Sequence, residues 1–255
     1  MPWLINESAG GTAGFMTSSD FKFDPISGDL YLAQGFGIWH TTFPTTFVGF
    51  NWTSQSAGME QLVPNTAVVP PGGAPVFGTG DQGTWYNLNT VSYPTTHGPN
   101  FTTTLVSAWS IPYSAGTPSF LACLCNAVGA GSHEQSGYSS DGGKTWTPFA
   151  TVPPNTTSMY GGSMAINAND TTNIVWIQSN NGKMYQTTNR GGLWTQINPP
   201  GVPTSGTIGW DASYFYLRKA VAADQVDADT FYAYNYSVPG LFISTDKGAT
   251  WTLQY

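Results

Sequence analysis

An eight-residue stretch recurs three times in this chain and limits what the rest can fold into. Ser139–Trp146 reads Ser-Ser-Asp-Gly-Gly-Lys-Thr-Trp, and Ser244–Trp251 reads Ser-Thr-Asp-Lys-Gly-Ala-Thr-Trp. Thr187–Trp194 is a degenerate copy, Thr-Thr-Asn-Arg-Gly-Gly-Leu-Trp. An Asp or Asn in this setting accepts hydrogen bonds from backbone N–H groups a few residues on. The glycine takes up the positive φ that a tight hairpin turn needs. Thr re-enters a strand, and Trp offers a large apolar body to pack between neighbouring sheets. The copies, centred on Asp141, Asn189 and Asp246, are spaced at about 50 residues, the period of a four-stranded propeller blade.

Each copy is preceded by the same grammar. Leu241-Phe242-Ile243, Met184-Tyr185-Gln186 and Gly137-Tyr138 are strands running into the turn, and Gly37-Ile38-Trp39-His40 matches them without a proper turn motif after it. Upstream of each lies a strand pair, as in Met164–Asn167 with Asn173–Trp176, or Lys219–Ala223 with Thr230–Ala233. This predicts an all-β chain of four-stranded blades at roughly 20–52, 101–149, 160–197 and 217–253, with a less regular one at about 59–90. A single β-propeller of about five blades over residues 1–255 is the expected domain organisation. The chain stops at Leu253-Gln254-Tyr255 with no obvious closing strand, so an incomplete ring is part of the expectation.

Charged residues make up only 8% of the chain and the net charge is −7, which argues against binding a phosphate backbone. No stretch is apolar enough to span a membrane, and the opening Met-Pro-Trp-Leu-Ile-Asn-Glu-Ser does not read as a signal peptide, so either a cytoplasmic protein or a true N-terminus lying further upstream is expected. No metal-ligand cluster and no cofactor motif is present, and His40, His97 and His133 are scattered. Cys123 and Cys125, the only cysteines, point to one face of a strand near the upper limit of disulfide reach, and are expected to be two small buried thiols.

Residues 58–98 break the regular grammar. Asp81 stands between Gly80 and Gly83 and is followed by Trp85 and Tyr86. Flanking glycines let the backbone bend sharply and let a ligand come close. A carboxyl beside aromatics is pushed toward its neutral form, and so toward a usable general acid. From this spacing alone an ordinary turn acid is the simpler reading. His97 reads as a loop residue near this segment. Trp39, Trp85 and Trp109, with Tyr86, are candidates for stacking on sugar rings, with core packing the default for each tryptophan.

The recurring stretch resembles the Asp-box of sialidase-like β-propellers, a structural fastening. The chain as a whole resembles the C-terminal half of a xyloglucanase of glycoside hydrolase family 74, whose members have two seven-bladed propellers facing each other across a cleft. The resemblance rests on Gly58-Met59-Glu60-Gln61, on Pro70-Pro71-Gly72-Gly73-Ala74-Pro75-Val76 and on Gly80-Asp81-Gln82-Gly83, which fall in order on a stretch of the family's second propeller, and on the blades either side. It implies that Asp81 is the general acid of an inverting hydrolysis of β-1,4-glucan. It also implies that the protein is secreted and that its partner is a β-glucan or xyloglucan-like polysaccharide; Trp85, Tyr86, Trp39, Trp109 and His97 are the residues expected, from their own chemistry, to bind such a substrate. Inversion needs a second carboxyl about 6.5–9.5 Å away. The family draws that base from a Thr-Asp-x-Gly-Gly motif in its first propeller, and no such motif precedes Asp81 here; an N-terminal propeller partner is therefore implied. This chain also departs from the pattern, with Thr84 at the second glycine and Asn87-Leu88-Asn89 where acidic residues follow.

Two rival readings remain. One is a non-catalytic propeller that binds polysaccharide or protein. The other is a sialidase, which grips a substrate carboxylate with three arginines; the chain has only Arg190 and Arg218, which nearly excludes it.

Overall fold

The structure is a computed structural model. It describes residues 18–34, 37–42, 46, 49–55, 63–80, 82–88, 94, 97–99, 106–127, 135–154, 162–179, 182–210, 212 and 219–254. The chain divides into two compact units, Met1–Leu62 and Val63–Tyr255. Among the described residues there are strands and turns but no helix.

The first unit holds one four-stranded antiparallel sheet, made of β1 (Ser18–Phe23), β2 (Asp29–Gln34), β3 (Gly37–Thr42) and β4 (Thr53–Ser54) in sequential order. The Asp24–Asp29 turn between β1 and β2 is closed by Asp24, whose carboxylate accepts from Ile26 N–H and Ser27 Oγ–H. Leu32 and Trp39 are buried and pair across β2 and β3.

Among its described residues the second unit holds four sheets, three of them up-and-down meanders and one a meander with an additional strand on the edge. The first comprises β5 (Pro64–Val68), β6 (Val76–Thr79), β7 (Gly83–Tyr86) and β8 (His97–Gly98). The next is built from β9 (Val106–Ser110), β10 (Tyr113–Ser114), β11 (Thr117–Ala127), β12 (Gly137–Ser139) and β13 (Thr147–Pro148). Here β9 pairs the second half of the long β11, at Leu124–Ala127, and β10 its first half. They form one edge interrupted at Pro112, whose missing N–H cannot serve a ladder. The third sheet is β14 (Gly162–Ile166), β15 (Ile174–Gln178), β16 (Met184–Thr187) and β17 (Thr195–Ile197). The last is β18 (Val221–Ala223), β19 (Phe231–Asn235), β20 (Gly240–Ser244) and β21 (Thr252–Gln254). These sheets agree with the predicted blades, except that the irregular one runs on to Gly98.

Sheet packing follows the two-residue period of a strand. On β11, Phe120, Ala122 and Leu124 join Met164, Ile166, Ile174 and Trp176 in one cluster. Leu121, Cys123 and Cys125 point the other way, toward Val76 or Val106 and Ala108. On β15, Val175 and Ile177 pack with Val221, Phe231 and Phe242 of the last sheet. A strand buried on both faces must be apolar at every position, and Ile174-Val175-Trp176-Ile177 is. The first strands of the four sheets, β5, β9, β14 and β18, together line a cavity of about 170 Å³.

The three recurring turns fasten these interfaces through one hydrogen-bond scheme. Asp141 accepts from Ser139 Oγ, from Lys144 and Thr145 N–H, and from Thr145 Oγ. Asp246 accepts from Ser244 Oγ, Thr250 N–H and Thr250 Oγ. Asn189 accepts from Thr187 Oγ and Leu193 N–H. An amide has only one acceptor oxygen, so the place of the second Thr hydroxyl is taken by Leu193. In each turn two consecutive residues have positive φ: Gly142 and Gly143, Arg190 and Gly191, Lys247 and Gly248. The second is always glycine and abuts the preceding sheet, at Val76, Phe149 and Val175 respectively. The tryptophans follow suit. Trp194 meets Phe149 and Trp176 edge-on, at 5.5 and 5.3 Å between centroids.

One sequence expectation is corrected here. Cys123 and Cys125 are not thiols but a disulfide within β11, with Cα atoms 5.8 Å apart. That span is inside the usual range, and a common side of the strand brings both sulfurs together.

Candidate functional site: the turn between β6 and β7

The β6–β7 hairpin closes on the pair Thr79↔Gly83, leaving Gly80, Asp81 and Gln82 as its loop. Asp81 itself lies outside the described residues, as do Glu60, His133, Asp211 and Tyr214–Tyr216. What is described is the frame around it.

That frame is dense. Gly80 N–H donates to Val63 C=O at 2.8 Å. Gln82 forms a parallel bridge with Val106 at the start of β9, so the turn is stitched to the adjoining sheet. Gly83 has φ 67°, and a Cβ on it would stand 2.2 Å from Gly98 O. Only glycine allows that approach. Thr84 Oγ donates to Gly98 C=O at 2.9 Å. Trp85 Nε1–H donates to Thr79 Oγ, which donates in turn to Gly83 C=O.

His97 lies across from Trp85 in the β7–β8 ladder, with ring centroids 4.9 Å apart and planes 30° apart. It is a strand residue, not the loop residue expected from sequence. Burial holds its pKa below the usual histidine value, against an opposing hydrogen bond to the Gln82 backbone.

The structure separates the other candidate residues. Trp85 is 3% exposed and lies within the frame of the turn, so its indole face is covered. Tyr86 points to the opposite side of β7 and sits at the far end of the strand. There it shares a groove of about 580 Å³ with the Pro71–Pro75 loop, Asp141 and Lys144. Lys144 Nζ lies 5.5 Å from the Tyr86 ring. Trp85 and Tyr86, neighbours in sequence, are thus separated: strand alternation and rise send them to different places. Trp109 is half-buried on β9, donates to Asn126 Oδ1, and packs with the cluster between the second unit's second and third sheets, on the side away from the turn. Trp39 belongs to the first unit and is 3% exposed, as a core residue. Among the described candidates, then, only Trp85 and His97 come together. Thr79 and Gln82 complete the frame and were missed; a buried, polar β-strand end leaves no periodic trace in the sequence.

Among the described residues no group of His, Cys, Asp or Glu is placed to hold a metal ion, and no helix is long and apolar enough to cross a membrane.

No protein-family model matches the sequence, and no curated protein matches it. Solved structures do. The family 74 xyloglucanase of Xanthomonas campestris matches over 99% of this chain and 33% of its own, with a TM-score of 0.70 at 24% identity. The family 74 enzyme of Niastella koreensis matches over 93% of this chain and 30% of its own, with a TM-score of 0.64 at 26% identity. An ancestral family 74 enzyme matches over 95% and 32%, with a TM-score of 0.53 at 15% identity. The chain thus spans about a third of the length of the structures it resembles. It folds as a β-propeller similar to those of glycoside hydrolase family 74.

Proposed function

We propose that this chain supplies the general acid of an inverting glycoside hydrolase acting on a β-1,4-glucan of the xyloglucan type, and that Asp81 is that acid. The observation that supports it most is the framed Gly80–Gly83 turn, in a chain 26% identical over most of its length to the Niastella koreensis enzyme. The two neighbours of Asp81 in sequence are both tied to other parts of the unit, Gly80 to Val63 and Gln82 to Val106. Such a group protonates the departing glycosidic oxygen while a second carboxylate removes a proton from water on the opposite face of the sugar. In this reading the base stands on a second propeller carrying Thr-Asp-x-Gly-Gly, the five sheets belong to one propeller, the three tight turns are Asp-boxes, and the protein acts outside the cell.

The test is hydrolysis of xyloglucan by this chain together with such a propeller, with Asp81→Asn as the comparison. Loss of turnover with folding retained supports the proposal; unchanged turnover ends it. A second reading is a propeller that binds polysaccharide or protein without cleavage; the burial of Trp39 and Trp85, which removes two sugar-stacking faces, favours a protein ligand within it. It predicts binding that ignores Asp81→Asn, and no turnover with or without the second propeller.

A further inference from the structure

We propose that the open face of the last sheet is a second binding site, apart from the β6–β7 turn, and that its ligand is a neutral polysaccharide chain; the ligand's class rests on the reading of this chain as part of a β-glucan hydrolase. Register identifies the face. In the second unit's third sheet Thr187, which opens a recurring turn, stands opposite Ile174, while Gln186 and Met184 stand opposite Val175 and Ile177. In the last sheet Ser244 opens the turn and stands opposite Phe231, while Ile243 and Leu241 stand opposite Tyr232 and Tyr234. Tyr232, Tyr234, Ile243 and Leu241 thus occupy the places of Val175, Ile177, Gln186 and Met184. Val175, Ile177 and Met184 are fully buried, packed against the last sheet. Their counterparts stand open: Tyr234 is 49% exposed and Leu241 41%, and Tyr236, just beyond β19, is 49% exposed.

The four replacements decide what the face can hold. Gly248 lies close against Val175, where an added Cβ would stand 2.7 Å from Val175 Cγ2, and Gln186 Nε2 donates to the Lys247 carbonyl at 2.6 Å. Tyr232 is bulkier than valine and Ile243 has no side-chain N–H, so the two contacts that seat a neighbouring turn are gone from this face. Tyr232 is held instead within its own sheet, its hydroxyl donating to Asp224 Oδ2 at 2.8 Å. A second copy of the chain is a poor match as well. Half-exposed side chains of this size offer about 100 Å² each, so Tyr234, Tyr236 and Leu241 together reach roughly 300 Å², well short of the roughly 800 Å² that each partner brings to a stable protein interface.

What remains suits a sugar chain. Tyr232 and Tyr234 alternate on β19, so they stand about 7 Å apart along one side of the strand, with the apolar Ile243 and Leu241 opposite them. Thr252 and Gln254 of β21 extend the same face with uncharged polar groups. The Asp224 carboxylate that meets Tyr232 is already occupied, since it also accepts from Val226 and Asp227 N–H. A pyranose presents C–H faces to such rings and hydroxyls to their polar edges, and brings no charge that the face must match. A foothold of this kind keeps the polymer beside the chain and raises the effective concentration of its glycosidic bonds.

The test is calorimetric titration of the chain with soluble xyloglucan. Tyr234→Ala should weaken binding by about tenfold or more at unchanged Tm. Tyr234→Phe, which keeps the ring, should stay within about threefold of wild type, and Asp81→Asn should bind as wild type does. Undiminished binding in Tyr234→Ala overturns the proposal, and so does a wild type that binds no xyloglucan. A sedimenting mass that rises with concentration and returns to one copy in Tyr234→Ala also overturns it, by giving the face to a second copy. The catalytic reading is decided separately: if the chain assembled with a propeller carrying Thr-Asp-x-Gly-Gly shows no turnover while binding through Tyr234 persists, that reading fails and this site stands.

Discussion

Gly191 lies so close under Phe149 that a Cβ added to it would stand 2.3 Å from Phe149 Cδ1. Gly143 stands in the same relation to Val76, and Gly248 to Val175. In each case the residue that closes a tight turn in one sheet is also the contact with the sheet before it, so turn geometry and sheet packing are one constraint.

Substituting that glycine should therefore cost twice. Gly191→Ala must hold an L residue at φ 77°, at about 1–2 kcal/mol, and must displace a buried ring, at about 1–3 kcal/mol. Urea unfolding should show a loss of about 2–5 kcal/mol. Gly72 is the control, with φ 71° and nothing within 4 Å of an added Cβ. Gly72→Ala should show the backbone part alone, about 1–2 kcal/mol.

Acid should loosen two of the three turns and spare the third. Burial pushes the Asp141 carboxyl up, the largest single influence, but hydrogen bonds from Thr145, Ser139 and Lys144 together outweigh it and leave the pKa below 3.8. Asp246 is lowered in the same way by Thr250 and Ser244 against burial. A carboxylate with a depressed pKa in the folded state contributes its stability fully above the unfolded value and loses it as pH falls through the folded one. The described fold should thus weaken below about pH 4. Asn189 makes the corresponding bonds without titrating. The double variant Asp141→Asn, Asp246→Asn should flatten the acid limb of a Tm-against-pH curve, at some cost near neutrality because Thr145 and Thr250 each lose an acceptor.

Gln82 is fully buried, and neither end of its amide has a hydrogen-bond partner among the described residues. Leaving such a group unpaired costs about 1–3 kcal/mol, and an apolar side chain of similar volume removes that penalty. Gln82→Met should accordingly leave stability unchanged or raise it. A clear fall in Tm would mean that the amide is held by a group outside the described frame.

The Cys123–Cys125 disulfide closes a loop of three residues. On the chain-entropy model so short a loop contributes less than about 2 kcal/mol. Replacing both cysteines by alanine should lower stability only by that order, and alkylation of the denatured, unreduced protein should label no thiol.

Much of the fold was legible because the recurring turn carries its own physics: a side-chain acceptor, a positive-φ glycine and a tryptophan, at a period that leaves room for three strands between copies. The sheets around Asp141, Asn189 and Asp246 follow from it. The candidate site was less legible. Trp85 and Tyr86 are neighbours in sequence, but alternation puts one in the core and the other in a groove with Lys144. The closing strand His97–Gly98 is two residues long, too short to show a period, so His97 read as loop. The disulfide escaped because two residues along a strand is where geometry only just permits one. The rigid frame of the Gly80–Gly83 turn depends on Gly98 and Val106, distant in sequence and brought close only by the meander.

The most direct test compares xyloglucan with an aryl glucoside as substrates for wild type and Asp81→Asn, in the presence of a propeller carrying Thr-Asp-x-Gly-Gly. If Asp81 delivers a proton to the leaving oxygen, the substitution should cut xyloglucan turnover by at least about a hundredfold and spare much of the rate on a leaving group that needs no proton, with Tm unchanged. Equal xyloglucan turnover by the two proteins would contradict the account.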